Sequence, residues 1–406
     1  MHRSFLPLLR CPICRGPLAV AETVQGSDGC LEWGLLSCRC REPHAVVAGI
    51  PLLLPALDPR GIEARTALRT PHLDHEAWLA EACRRWMPSL PPLAPRPTAL
   101  EAIAEAGGGV FYEYLAWKWA TRSFATGVTL LGAAPRGVLV DLGCGMGHLA
   151  WTAGHLRAAT KTIAVDHALP LLLAGRALGL LPAPPHGLAV CADANFGLPV
   201  VDGTAATVFV SDGLHYFFRA RAVVADAHRA LAPDGVLILN HLHNRHATAG
   251  EPAQGHSRAP DEWSGQVQHA GFGWQALFAD DDLLQAVAMG DVPPHRLPFE
   301  LAAARSLSML AGSAPRAWSP GVLPDEGPLA LNPVYGFAPA RDAAHRAWPS
   351  AAFADEHGSP LFPATVTWPA TASPDERRAL VARLTWLPLP SGYVGAAQYV
   401  DSVGAF

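Results

Sequence analysis

Val138-Leu-Val-Asp-Leu-Gly-Cys-Gly-Met-Gly-His148 decides how this chain is read. A short apolar run passes through Asp141 into glycines at alternate positions, Gly143, Gly145 and Gly147, and then into an apolar helical pattern over 148–156. An unbroken apolar run of this kind fits a strand buried on both faces of a parallel sheet. Glycines directly after it let the backbone take positive φ and let a ligand approach closely. The helix beyond points its N-terminal amides back into the turn. The spacing is G-x-G-x-G, not the G-x-G-x-x-G of dinucleotide-binding turns. Asp141, just ahead of it, repels a pyrophosphate and attracts a ligand that carries an ammonium group.

Strand and helix patterns keep alternating downstream. Residues 161–166 read as a second strand ending in Asp166, and 168–180 as a helix. A third strand covers 187–193 and ends at Asp193. A fourth covers 204–212, a helix 219–231, and the turn Leu231-Ala-Pro-Asp-Gly235 opens a fifth strand ending near Leu239. In nucleoside-binding α/β folds an acid at the end of the second strand accepts hydrogen bonds from ribose hydroxyls, which is the role read for Asp166.

The loop V-D-L-G-C-G-M-G resembles the first motif of class I S-adenosylmethionine (SAM)-dependent methyltransferases, and the later elements follow in that family's order. SAM carries the amino group that Asp141 asks for. The resemblance implies an α/β, Rossmann-like methyltransferase sheet over 131–312. It implies a SAM site built from Asp141, Gly143, Cys144, Gly145, Gly147, Asp166, Asp193, Ala194, Ser211 and Asp212, with Asp193 on the adenine amino group. Direct in-line transfer, which needs alignment above all, is the mechanism it implies.

Residues 1–56 form a separate module. Cys11-Pro-Ile-Cys14 is a C-x2-C knuckle of the kind that presents two thiolates to one zinc ion. The frame C-P-x-C-x-G-x-L … L-x-C … G-I-P-x-L-L resembles the small zinc-ribbon family that includes the activator subunit of tRNA methyltransferases. That resemblance implies a structural Zn2+ on Cys11, Cys14, Cys38 and Cys40. The second knuckle departs from the family, being C-x-C rather than C-x2-C, and His44 stands where a Tyr is usual. Cys40 with His44, spaced C-x3-H, is the alternative pair, and resembles the finger of a family of rRNA guanine methyltransferases. Cys30, Cys83, Cys144 and Cys191 read as packing residues.

Between the two modules, 57–130 reads as a helical linker and cap. Helical spacing covers 73–86, a proline-rich linker 88–97, and a second helical zone 100–131 that holds Tyr112, Tyr114 and Trp117. These aromatics either wall the SAM pocket or pack the helix onto the sheet. Beyond the sheet, 313–406 reads as a loop-rich accessory region. Two late features stand out: 297–310 as a late element of the sheet, and Ser373-Pro-Asp-Glu376 as a capped helix start.

Ligands of doubly wound sheets bind beyond the carboxyl ends of the strands. Ser211-Asp-Gly-Leu-His-Tyr216 follows the fourth strand and Asn240-His-Leu-His-Asn244 the fifth. His215, His241 and His243 are the candidate catalytic residues, as general bases or, in the sharpest form, as a three-histidine metal centre. His241 and His243 share parity, so a regular strand points both to one side.

The net charge of −5 weighs against a broad electrostatic grip on nucleic acid. Half the residues are hydrophobic, yet no stretch reads as a membrane span. The apolar segment before Cys11 is short for a signal peptide, and eight cysteines with five in the first forty residues fit metal ligation in the cytoplasm better than disulfides. The substrate expected is a small molecule or peptide of specialised metabolism, with a protein partner engaging the ribbon. The alternatives are an RNA methyltransferase whose ribbon contacts RNA, and a non-catalytic scaffold.

Overall fold

The computed structural model describes residues 1–27, 29–40, 43–88, 114–156, 159–247, 255–289, 291–326, 329–337, 343–359, 361–367 and 373–390. Most of the expected linker, and Tyr112, lie outside the described residues.

The N-terminal module is a four-stranded antiparallel sheet of β1 (Ala19–Ser27), β2 (Cys30–Ser37), β3 (His44–Val47) and β4 (Ile50–Pro51). Two helices follow, α1 (Pro59–Arg69) and α2 (His75–Trp86). Only the second shows in the apolar spacing of the sequence. The first is marked by its cap, since the Asp58 carboxylate accepts from Arg60 N–H and Pro59 opens the helix. The helical zone expected over 100–131 is broken in its described part. Thr121 stops a 3-10 turn (Lys118–Ala120) and caps α3 (Arg122–Leu131), its hydroxyl accepting from Phe124 N–H.

Chain order then gives β5 (Gly137–Leu142), α4 (His148–His155), β6 (Ala159–Asp166), α5 (Leu169–Ala177), β7 (Gly187–Cys191), β8 (Ala205–Ser211), α6 (Ala220–Ala230), β9 (Leu231–His243), α7 (Pro260–His269), β10 (Trp274–Ala279), α8 (Asp280–Met289) and β11 (Ser306–Gly312). They form a seven-stranded sheet in the order β10-β11-β9-β8-β5-β6-β7. The five strands from β5 to β9 are parallel, and β11 runs antiparallel between β9 and β10. β11 is the late strand foreseen within 297–310, whereas β10 had no clear signal in the sequence.

Both faces of the sheet are covered, as a parallel sheet requires. On one face α3, α4, α5 and α8 share a core with the C-terminal region, which contributes Leu331, Phe362, Val381 and Trp386 among others. On the other face lie α6 and α7 together with Phe5 and Leu9 of the ribbon. The ribbon also closes the outer edge of the sheet. Leu52 bridges to Cys191 in parallel, and Leu53 N–H donates to Cys191 C=O at 2.8 Å, so β7 is not left as a bare edge.

Among the described residues the C-terminal region has short pairings only. Ala330–Leu331 pairs with Trp386–Leu387, and Tyr335–Phe337, Ala343–Arg346 and Thr365–Thr367 make a three-stranded sheet. Two short helices complete it, α9 (Ala351–His357) and α10 (Pro374–Ala382). The capping box expected at α10 is present, with Ser373 Oγ accepting from Glu376 N–H. Buried Asn332 ties this region to the rest, donating to Trp119 C=O and Leu384 C=O at 3.0 Å each.

One helix–loop contact links the fold to the glycine turn. A Cβ on Gly175 of α5 would lie 1.9 Å from the Met146 carbonyl oxygen. Gly175→Ala is therefore expected to cost about 1–3 kcal/mol in urea denaturation, by overpacking. Gly265→Ala in α7, where a Cβ meets nothing within 4 Å among the described residues, should stabilise by roughly 0.5–1 kcal/mol.

Candidate active site

The turn after β5 is held in a shape that only glycine adopts readily. Gly143, Gly145 and Gly147 have φ of 72°, 55° and 96°. The amides of Gly143 and Cys144 donate to Val165 C=O at 2.8 and 3.2 Å, and Gly145 N–H donates to Asp166 Oδ2 at 2.9 Å. The other Asp166 oxygen accepts from Ala168 N–H at 2.8 Å. Asp141 lies beneath the turn, 2% exposed, and its Oδ2 has no hydrogen-bond partner among the described residues. Burial, reinforced by the Asp166 charge, pushes its carboxyl up to about 7. An ammonium group would relieve both the missing partner and the cost of burying the charge.

The turn opens on a cavity of about 690 Å³, within the range of cofactor and small-ligand sites. Of the residues read from the sequence for SAM, Asp141, Gly143, Cys144, Gly145, Asp166, Asp193, Ser211 and Asp212 line it. Gly147 and Ala194 are not among its lining residues. Gly147 turns the chain against Leu181, and the side chain of Ala194 is buried in the core. Asn195 stands in the wall instead, its backbone and side-chain N–H groups both held by Asp193 Oδ1 at 2.9 Å.

Asp212 organises the end of the cavity at β8 and β9. Its backbone is left-handed, at φ 50°, with its amide on Asn240 C=O at 2.8 Å. The Tyr114 hydroxyl donates to Oδ2 at 2.6 Å, and Lys118 Nζ stands 3.8 Å from the same oxygen. Oδ1 faces His243 Nε2 at 3.4 Å and His215 Nε2 at 3.9 Å. Burial works against the Asp212 charge, but His241, His243 and Lys118 together hold the carboxyl well below its usual range. Lys118 is itself buried, which lowers its pKa to about 8 despite the nearby carboxylates.

The candidate histidines separate here. His243 lines the cavity, while His215 is fully buried and is not among the lining residues. Burial pushes His215 down to about 3, so its ring is neutral. His241 does not follow the parity argument, because β9 bulges there. Its φ is 57°, its N–H donates to Ser308 Oγ at 3.1 Å, and the register against β11 shifts at this point. The His241 ring pairs with buried Asp280, Nδ1 to Oδ2 at 2.5 Å, and lines a smaller neighbouring cavity of about 110 Å³. A three-histidine centre is therefore not what the fold assembles.

Other wall residues carried no signal strong enough to find them in the sequence. Lys118 is a charge inside the run Phe111-Tyr-Glu-Tyr-Leu-Ala-Trp-Lys-Trp119, which was the clue available. Glu356 and His357 reach the cavity from α9, far along the chain. Of the aromatics, Tyr114 walls the cavity and Trp117 packs against the core.

In the ribbon, Cys11, Cys14, Cys38 and Cys40 bring their sulfurs within 4.8 Å of one another. Four thiol groups so gathered match a tetrahedral site for a soft or borderline metal. His44 sits beside them, with Nε2 3.3 Å from Cys11 Sγ, and is not a member of that group. None of the eight cysteines forms a disulfide.

A mostly parallel seven-stranded sheet, a glycine turn over a buried acid with one oxygen left without a partner, and acids at the ends of β6 and β7 define a Rossmann-like SAM-binding domain. This domain is a SAM-dependent methyltransferase domain of the class I type. Residues 140–239 match the family described as a methyltransferase domain. No curated protein matches the chain. Among solved structures, the complex between the Trm112 methyltransferase activator and a methyltransferase of Haloferax volcanii aligns at 15% identity, covering 55% of this chain and all of that one, with a TM-score of 0.38. Phosphoethanolamine N-methyltransferase 2 of Haemonchus contortus, bound to SAM, aligns at 13% identity over 53% of this chain and 60% of its own, TM-score 0.39. A SAM-dependent methyltransferase of Mesorhizobium loti gives 18% identity over 47% and 96%, TM-score 0.36. No helix among the described residues is long and apolar enough to cross a membrane.

The Asp141 carboxyl sets a pH dependence. An ammonium binds the carboxylate, which is present above about pH 7 and lost as pH falls through that value. SAM affinity measured by calorimetry should therefore decline between pH 8 and pH 5.5. Asp141→Asn should weaken binding at pH 8 by about tenfold to a hundredfold, the worth of a charged hydrogen bond, and flatten the profile.

Proposed function

We propose that this chain methylates a small molecule or a peptide side chain that enters the cavity beside the glycine turn. The observation that carries this reading is the depth of the acceptor end. Lys118, His243 and His357 are each less than 10% exposed, so a nucleophile meets them only by entering the cavity. An RNA would have to flip a nucleotide out of its stack to reach them, and the net charge of −5 gives it little attraction.

The cofactor site fits SAM on its own residues. Asp141 would take the amino group, Asp166 the ribose hydroxyls and Asp193 the adenine edge, with the glycine amides close to the chain of the ligand. When bound, SAM supplies an electrophilic methyl group on a sulfonium, open to in-line attack. The protein's part is to seat the acceptor against Asp212 and His243, which govern its protonation, and to keep Asp212 fixed through Tyr114 and Lys118.

The ribbon cysteines would hold one structural Zn2+, with all four coordination positions filled by Cys11, Cys14, Cys38 and Cys40 and none open for chemistry. For a protein partner, the ribbon leaves its outer strand β1 mostly exposed.

Calorimetry of the full chain with SAM and with S-adenosylhomocysteine should show one equivalent of each bound. Absence of heat with both would sink the enzymatic reading in favour of a scaffold. Filter binding with total RNA should show no retention at physiological salt. Retention that falls steeply with salt would instead support an RNA substrate. Elemental analysis should find a zinc equivalent that Cys14→Ser loses.

A further inference from the structure

Asp212, His215 and His243 come together with one long hydrogen bond among them, between His243 Nε2 and Asp212 Oδ1, and none at His215 among the described residues. Oδ2 of Asp212 is engaged by Tyr114 and Lys118, which leaves Oδ1 aimed at two imidazoles. The distances, 3.4 Å to His243 Nε2 and 3.9 Å to His215 Nε2, are longer than a good hydrogen bond. His215 is 0% exposed, and neither ring nitrogen has a hydrogen-bond partner among the described residues. A buried imidazole so placed is unfavourable unless something takes its lone pair. The carboxylate oxygen and the two ring nitrogens all lie within 4.8 Å of one another.

We propose that Asp212, His215 and His243 bind one divalent transition-metal ion, and that this ion takes the nucleophilic oxygen or nitrogen of the acceptor as a further ligand. The second half rests on the reading of the cavity as a methyltransferase acceptor site. The first does not. Two imidazoles and a carboxylate suit Zn2+, Fe2+, Co2+ or Mn2+, whereas Mg2+ and Ca2+ prefer oxygen alone. Metal–ligand bonds of about 2.0–2.2 Å set neighbouring donors roughly 3–3.5 Å apart. The 3.4 Å pair already meets this, the 3.9 Å pair needs to close by a few tenths of an ångström, and the two ring nitrogens, within 4.8 Å of each other, need to draw together around the ion.

Three protein ligands leave positions open, as catalytic sites do. Asp212 and His243 line the cavity and His215 closes the site from behind, so the open positions face the acceptor. His241 stays out because its Nδ1 is held by Asp280. On the ion, an acceptor hydroxyl gives its proton to solvent as its O–H bond breaks, and the electron pair remains on the oxygen as ligand and nucleophile. The substrates this favours carry a hydroxyl, phenol or similar weakly acidic group.

The test titrates the full chain with Co2+, with the ribbon metal left in place, and follows absorption. One Co2+ per chain is expected, giving ligand-field bands without a thiolate charge-transfer band. His215→Ala and His243→Gln should each weaken it more than about 100-fold, since even outer-shell changes cost ten- to a hundredfold. Retained SAM heat in these variants shows that they are folded. Metal found in the purified chain above the ribbon's share counts as occupancy of the same site. No Co2+ uptake and no such extra metal in the unmodified chain, or uptake that both variants leave unchanged, would overturn the proposal. The unmodified chain decides alone should the variants not fold. Co2+ uptake without SAM heat would leave the metal site standing and remove the methyltransferase reading, and SAM heat without Co2+ uptake or extra metal would do the reverse.

Discussion

The carboxylate of Asp166 holds the cofactor end of the molecule together. One oxygen takes the amide of Gly145 in the turn after β5, and the other takes the amide of Ala168 at the start of α5. Two neighbouring strands are thereby tied at their carboxyl ends, and two amides that would otherwise lack partners are satisfied. The Val165 carbonyl adds the amides of Gly143 and Cys144. The turn is thus fixed before any ligand arrives, which lowers the ordering cost of binding. A carboxylate offers about four acceptor sites, so these two amides leave capacity for hydroxyls of a bound ribose.

Around that anchor the chain assembles a site from widely separated parts. Tyr114 and Lys118 come from the segment before α3, Asp212 and His243 from the central strands, and Glu356 and His357 from α9. Each contributor is fixed by packing rather than by local structure. The C-terminal region shares one core with α3 and α8, and Asn332 spans from Trp119 to Leu384. The ribbon works at the opposite edge, where Leu52 and Leu53 occupy the side of β7 and Phe5 and Leu9 reach under the sheet. Its attachment is part of the enzyme's own core, so loss of the ribbon would expose both a strand edge and apolar surface.

What the sequence revealed followed from local rules. Alternate glycines after an apolar strand demand left-handed backbone, and Gly143, Gly145 and Gly147 all adopt it. Ser373 and Glu376 announced a helix start by chemistry confined to one turn. What stayed hidden depends on distant contacts. The parity of His241 and His243 holds only for a regular strand, and the bulge at His241 is set by β11 and Ser308, outside any local window. The burial of His215 and the approach of His357 depend in the same way on how distant segments pack. Lys118 was visible as a residue but not as a partner, because its carboxylate lies 94 positions further along the chain.

The balance of charge in the cavity follows from these placements. Asp141, Asp166, Asp193, Asp212 and Glu356 line it, and Lys118 is the lysine set among them. Burial makes the Asp141 carboxylate costly to keep ionised, while Asp212 has Lys118 Nζ 3.8 Å away. Asp141 shows the strain most plainly, with its carboxyl raised to about 7. Such a wall gains by holding a positive ligand and gains less from a neutral one. SAM and its demethylated product share the amino group that Asp141 would take and differ in charge only at the sulfur, so the acid wall suits both through that ammonium. The electrostatic cost carried by the fold at rest is thus offset when an ammonium enters beside Asp141.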